Sequence, residues 1–188
     1  MTEELYVVPL MPFDEAAVWA TPEELRQAMS FGSEQRREEY LTWRAVVRQR
    51  LGRDVKIGYN KVGAPILPGR SEQISVAHND DAVAVLFASS RCAVDIERWD
   101  RPFDRLKKKY LTPEEEQLSS DERFPAIAWC AKEVLYKFAG HREIDIHRDL
   151  RILSYEGDTV TAQLKNGEPV ELSVIRDEEY LVVYLLAD

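Results

Sequence analysis

Apolar and acidic residues alternate through Val94-Asp95-Ile96-Glu97, the period of a strand. Successive strand side chains point to opposite faces, so Asp95 and Glu97 share one face and Val94 and Ile96 the other. Between residues 127 and 138 the period changes to that of a helix. Ile127, Ala131, Val134, Leu135 and Phe138 form an apolar stripe, and Trp129, Glu133 and Lys137 fall on another face at i, i+4 steps. A strand with two acids beside a helix with a third acid and flanking lysines can hold a hard divalent cation against a phosphate.

Elsewhere the pattern predicts strands at Leu5 to Leu10, Val55–Tyr59, Gln73–Ala77, Ala82–Ala88, Cys92 to Glu97, Leu150–Tyr155, Thr159–Leu164, Val170–Ile175 and Tyr180–Leu186. Turn signals separate them at Asn79-Asp80-Asp81, Glu156-Gly157-Asp158 and Asn166-Gly167. Two motifs occur twice and in the same order. Pro-Phe-Asp stands at 12–14 and 102–104, and Thr-Pro-Glu-Glu at 21–24 and 112–115. The latter is a helix start, with Thr as N-cap, Pro at the first helical position and Glu completing a capping box. A long helix then ends at Leu51-Gly52 and again at Ala139-Gly140. Counting back eight residues from each glycine pairs Arg44 with Lys132. The expectation is an α+β fold of two similar fused halves, 1–90 and 91–188, related by a pseudo-two-fold. Each half has an antiparallel sheet and a long helix, and a cleft between them is the natural place for a site. The competing arrangement is a single α+β domain in which the repeats are coincidental.

Composition narrows the classes. The chain has 188 residues, 45% of them hydrophobic and 31% charged, enough for a sizeable core. No apolar run approaches the ~20 residues of a membrane span. The start, Met1-Thr2-Glu3-Glu4, lacks the basic region of a signal peptide. Two cysteines, Cys92 and Cys130, predict no disulfide framework and point to a reducing cytoplasm. Cys130 reads as a packed thiol, with no His near it in sequence. The net charge of −9 argues against nucleic-acid binding, so any polyphosphate ligand needs local cations. The basic segments are Arg36 to Arg50 and Arg105 to Lys109. His141 and His147 have no helical pairing and no cysteine partner, and no metal site is assigned to them.

The runs Ile74-Ser75-Val76-Ala77-His78-Asn79, Ala93-Val94-Asp95-Ile96-Glu97, Tyr110-Leu111-Thr112-Pro113-Glu114-Glu115 and Trp129-x-x-Lys132-Glu133-x-x-x-Lys137 occur in that order. Together they resemble the 4′-phosphopantetheinyl transferase superfamily. The mid-chain position of Asp95 suits its single-chain, surfactin-synthetase-activating type better than the shorter, trimeric holo-acyl-carrier-protein-synthase type. The resemblance runs from about residue 36 to 140, and Gly63-Ala64-Pro65 is similar to the family's Gly-Lys-Pro. It implies an enzyme that moves the phosphopantetheine arm of coenzyme A onto a serine of an apo acyl or peptidyl carrier protein, releasing 3′,5′-ADP. By the same resemblance, Asp95, Glu97 and Glu133 hold Mg²⁺ on the CoA diphosphate. Glu133 takes the serine proton, and Lys132 and Lys137 face the phosphates. Lys137 also assists the leaving group and His78 contacts a CoA phosphate; Arg44, as the repeat-mate of Lys132, is expected at the 3′-phosphate.

Each residue also has a plainer reading. Glu133 and Lys137 form a favoured i, i+4 surface pair, worth ~0.3–0.5 kcal/mol. Trp129 belongs to a core, Asp95 and Glu97 to a solvent-facing strand, and His78 to a turn. Glu115 is explained by its capping box. The chain departs from the family at Ala77, usually Ser, and at Ala64, usually Lys. Each loses a polar contact to CoA, and Lys61 and Arg70 are the candidate replacements. A non-catalytic CoA or carrier binder and a Mg²⁺-dependent phosphohydrolase are the rival functions. A duplicated chain needs no oligomer to build its site, so a monomer is expected. Arg105-Leu106-Lys107-Lys108-Lys109-Tyr110 is the expected docking patch for an acidic carrier, offering charge beside an apolar side chain.

Overall fold

The computed structural model describes residues 3–140 and 143–187; Met1, Thr2, His141, Arg142 and Asp188 lie outside the described residues. The chain is α+β, with antiparallel sheets and, among the described residues, six α-helices, and it divides into two compact units, Met1–Ser89 and Ser90–Asp188. Among the described residues no helix is long and apolar enough to cross a membrane.

The first unit runs β1 (Glu4–Pro9), α1 (Phe13–Ala17), α2 (Pro22–Met29), α3 (Glu34–Leu51), β2 (Gly58–Tyr59), β3 (Pro65–Ile66), β4 (Gln73–His78) and β5 (Ala82–Ala88). Its sheet has the order β1-β5-β4, and β2 and β3 form a small separate ladder. Trp43, Val46 and Val47 of α3 pack with Val83, Val85 and Phe87 of β5. The predicted strand Val55–Tyr59 shrinks to Gly58–Tyr59, the two residues that pair with β3, and Asn60 turns the chain after them. Its Oδ1 accepts from the N–H groups of Val62 (3.1 Å) and Ala64 (2.9 Å).

The second unit runs β6 (Cys92–Arg98), α4 (Phe103–Leu106), a 3₁₀ turn (Lys107–Lys109), α5 (Pro113–Glu116), α6 (Phe124–Ala139), β7 (Leu150–Glu156), β8 (Thr159–Leu164), β9 (Pro169–Arg176) and β10 (Tyr180–Leu186). Its sheet has the order β6-β10-β9-β8-β7. One face, carrying Ala93, Leu172, Val174, Leu181, Val183 and Leu185, buries the apolar stripe of α6. Asn166, at φ 63°, makes the turn between β8 and β9, a left-handed conformation that Asn tolerates.

The repeated motifs build the same local structures. Both Pro-Phe-Asp sequences start a short helix, α1 and α4. Both Thr-Pro-Glu-Glu sequences form a complete capping box, Thr21 with Glu24 and Thr112 with Glu115. In each unit the capping glutamate also neutralises a buried cation on the long helix. Glu115 meets Lys132, which has no exposed surface, at 2.9 Å, while Glu24 lies 3.3 Å from the Arg44 Nε and 2.8 Å from Arg48. Glu115 does more than cap. Its Oε2 accepts from the Thr112 N–H (2.8 Å) and the Lys132 ammonium (3.0 Å), and its Oε1 accepts from the Ile152 N–H (2.7 Å). One carboxylate thus ties α5, α6 and β7 together.

A buried ion pair is costly to break from one side, since the remaining charge is stranded. Glu115→Ala is expected to lower unfolding free energy by about 3–5 kcal/mol in urea titrations. The double change Glu115→Gln/Lys132→Met, which removes both charges, is expected to cost less than Glu115→Ala alone. An equal or larger loss in the double variant would show that the charge pair is not what holds this junction.

Candidate active site

The plain reading of Asp95 and Glu97 as solvent-facing strand residues is not what the fold does with them. They lie on the same face of β6 as Ala93, and Asp95 stands opposite Val183 and Glu97 opposite Leu181. That is the face α6 covers. Asp95 is 8% and Glu97 6% exposed. Isolated charges do not settle on a core face without compensation, so such a pair marks either an ion network or a site.

The compensation comes from α6 and from the loop after β6. Lys137 donates to Asp95 Oδ1 (2.8 Å) and to the Val94 carbonyl (2.9 Å). Arg101 donates to both carboxylate oxygens of Glu97, and the Trp129 indole N–H donates to Glu97 Oε1 at 3.0 Å. Trp129 also sets its ring edge-on to Tyr110, with centroids 5.1 Å apart. It is therefore both a packing residue and a donor to the acid. Asp95 Oδ2 is buried and accepts no hydrogen bond.

Glu133 projects from α6 toward the same acids. Burial raises its carboxyl above the ordinary value, and the negative charges of Asp95 and Glu97 push in the same direction while Lys137 opposes them. Glu97 is likewise raised, first by burial, with Arg101 pulling it down and Asp95 pushing it up. Three acids feel one another here, with two protein cations between them. Among the described residues no three His, Cys, Asp or Glu side chains are already drawn together at metal-holding distance. The donor chemistry nevertheless fits a hard divalent ion: only carboxylate oxygens, one of them buried and unbonded, in a cluster short of positive charge. Cys130 is fully buried, and burial holds its thiol well above the ordinary range, with Asp95 and Glu97 adding to the effect. It is a packed, unreactive thiol.

The other expected residues take different places. Lys132, expected at a phosphate, has no exposed surface. Its ammonium is enclosed, donating to Glu115 and to the Tyr110 carbonyl (2.5 Å). Arg44, expected at a 3′-phosphate, is 2% exposed and lies over the Tyr40 and Trp43 rings, donating to the Tyr40 carbonyl (2.6 Å) and to the Tyr59 hydroxyl. Each of the two cations meets the capping glutamate of its own unit, an internal neutralisation. His78 ends β4 with its side chain 37% exposed, 3.0 Å from Arg36 and 3.5 Å from Glu39. Of the candidate replacements for the missing family lysine, Arg70 is paired to Glu72 at 3.1 Å and Lys61 is exposed at the β2–β3 turn.

Arg101 escaped the sequence reading. Its signal was a basic residue four positions after Glu97, indistinguishable from the loop charges around it. In the basic segment, Tyr110 is 1% exposed, and Lys107 is held by Asp104 (2.9 Å) and Glu116 (3.2 Å). Only Arg105, Leu106, Lys108 and Lys109 remain exposed there. A groove of about 560 Å³ beside this segment sets Asp104, Glu116, Asp121 and Glu122 against Lys107, the one cation in its lining among the described residues, and includes none of the clustered acids, a poor cradle for an anion.

Comparison with known families falls on this unit. Residues 91–183 match the model of the 4′-phosphopantetheinyl transferase superfamily, a span that contains Asp95, Glu97, Arg101, Trp129, Glu133 and Lys137. The chain belongs to that superfamily through this domain, and its class of activity is phosphopantetheine transfer, with coenzyme A as the substrate of such enzymes. No curated protein matches the chain.

The raised carboxyls have a consequence for stability. A glutamate whose folded-state pKa lies above the unfolded value binds more protons when folded, so stability falls as pH rises from the unfolded value through the folded one. Glu97 and Glu133, raised above 4.5, oppose folding at neutral pH in the metal-free protein. Glu133→Gln is expected to raise the melting temperature at pH 7 and to flatten the decline in stability as pH rises above 4.5. A lower melting temperature at pH 7 would mean that the Glu133 carboxylate is stabilised where it sits.

Proposed function

We propose that the protein transfers the 4′-phosphopantetheine arm of coenzyme A to a serine of an apo acyl or peptidyl carrier protein, in a Mg²⁺-dependent reaction that releases 3′,5′-ADP. The observation that carries this reading is the burial of Asp95 and Glu97 on the face of β6 that α6 covers, with Glu133 and Lys137 beside them, inside the segment matched to the superfamily. Asp95, Glu97 and Glu133 would hold the metal, which when bound neutralises charge on the diphosphate and orients it.

The chain's own residues supply the rest. Glu133, on α6 beside Asp95 and Glu97, takes the proton of the carrier serine, directly or through a water. The serine oxygen forms its bond to phosphorus as the bond to the 3′,5′-ADP oxygen breaks. Lys137, one helical turn beyond Glu133, donates to the departing phosphate. His78 and its neighbour Arg36 are the remaining candidates for a CoA phosphate. We read the two units as the fused halves of the single-chain, surfactin-synthetase-activating type. The shared order of first, last and penultimate strand, β1-β5-β4 and β6-β10-β9, supports this, as do the paired capping boxes. A cytoplasmic monomer fits that reading.

Incubating the protein with CoA, Mg²⁺ and a panel of apo carriers, followed by intact mass measurement, tests the proposal. At least one carrier is expected to gain the arm, with transfer abolished by Asp95→Ala and by Glu133→Ala in folded protein. If no carrier gains mass while CoA binds, the protein is a binder; diphosphate cleavage without a carrier marks a hydrolase. For docking, the exposed Leu106 between Arg105 and Lys108-Lys109 suits an acidic helical surface. Lys108→Glu/Lys109→Glu is expected to raise the carrier KM at low salt and leave CoA affinity unchanged. Lys107 is a poor choice for reversal because it already serves Asp104 and Glu116. Unchanged carrier kinetics at low ionic strength would move the docking surface elsewhere.

A further inference from the structure

Glu97 is held by two donors of different kinds. Trp129 is neutral, and its indole N–H reaches Oε1 at 3.0 Å from a ring packed against Tyr110. Arg101 is cationic and bonds both oxygens. The ion pair is lopsided in exposure: the Arg101 side chain is 50% exposed and that of Glu97 8%. Releasing the guanidinium to water therefore costs little, whereas leaving the carboxylate without a cation costs much. The guanidinium also rests over the Phe103 ring while it holds Glu97, its carbon 5.3 Å from the ring centroid. Lys137 differs. It is anchored at once to Asp95 and to the Val94 carbonyl, and it is only 31% exposed.

We propose that Arg101 is the resident counter-ion of Glu97, a positioning residue that a divalent cation must displace before the acidic cluster can bind it. The inference rests on the metal reading above. Trp129 keeps Glu97 oriented during the exchange, because a neutral donor does not repel the incoming ion. The same guanidinium that stabilises the metal-free site thus sets a threshold for loading it. Once displaced, Arg101 stays beside the acids as a planar donor suited to a phosphate.

Direct Mn²⁺ binding to the full chain, read from the electron paramagnetic resonance signal of free Mn²⁺, tests this without any turnover. Arg101→Met is expected to bind Mn²⁺ at least about fivefold more tightly than the native protein, since a unit charge beside the site is removed. Arg101→Lys, which keeps the charge, is expected to stay within about twofold. The melting temperature of metal-free Arg101→Met is expected to fall, because Glu97 loses its counter-ion. Unchanged or weaker Mn²⁺ binding by a folded Arg101→Met protein overturns the proposal and leaves Arg101 a structural partner of Glu97, with the metal reading intact. Absence of saturable binding in both native protein and Arg101→Met overturns this inference and the metal reading together. Undiminished binding in Asp95→Ala would place the ion elsewhere and overturn it as well.

Discussion

An ammonium with no exposed surface must be paired, and the second unit is organised around that requirement. Lys132 can be satisfied only where the Glu115 carboxylate and the Tyr110 carbonyl meet. This sets the rotation of α6 about its own axis. Successive helical residues are about 100° apart, so Glu133 and Lys137 then fall within roughly 40° of each other on a neighbouring face. That face looks onto Asp95 and Glu97. A residue expected at a phosphate therefore acts one step earlier, by aiming the residues that stand at the acids. Arg44 and Glu24 repeat the arrangement in the first unit with a guanidinium.

Such pairs do not make a protein more stable than apolar packing would; a matched hydrophobic replacement is often neutral or better. Their retention here is understandable as orientation. The cost is larger at the acids. Placing Asp95 and Glu97 on a core face, with Glu133 nearby, leaves a cost of burial and mutual repulsion that Lys137 and Arg101 only partly cancel. Stability is being given up for a charge arrangement, which is how sites that bind cations or move protons are usually built.

Much of this was legible in the sequence. Strand and helix periods placed the long elements, and capping chemistry placed α2 and α5. Repeated spacing pairs Arg44 with Lys132, and each meets the capping glutamate of its own unit. What periodicity could not reveal was direction. Alternation in β6 says that Asp95 and Glu97 share a face, but only the packing of α6 decides that it is the core face. Burial is likewise a tertiary property, so periodicity does not show that Lys132 and Arg44 are enclosed beside the capping glutamates. Arg101 was missed because its partner is reached through a loop, where no period applies. Trp129 was read as core, and its ring does pack; its N–H donor role depends on where Glu97 comes to lie.

The central claim is that the acid cluster drives transfer of a phosphopantetheine group to a protein acceptor. Its most direct test is stoichiometry. The appearance of 3′,5′-ADP and the mass gain of an apo carrier are followed in one reaction with CoA and Mg²⁺. The account predicts one 3′,5′-ADP per modified serine, with both products absent for Glu133→Ala. Release of 3′,5′-ADP without modified carrier, or transfer that persists at the native rate in Glu133→Ala, would contradict it.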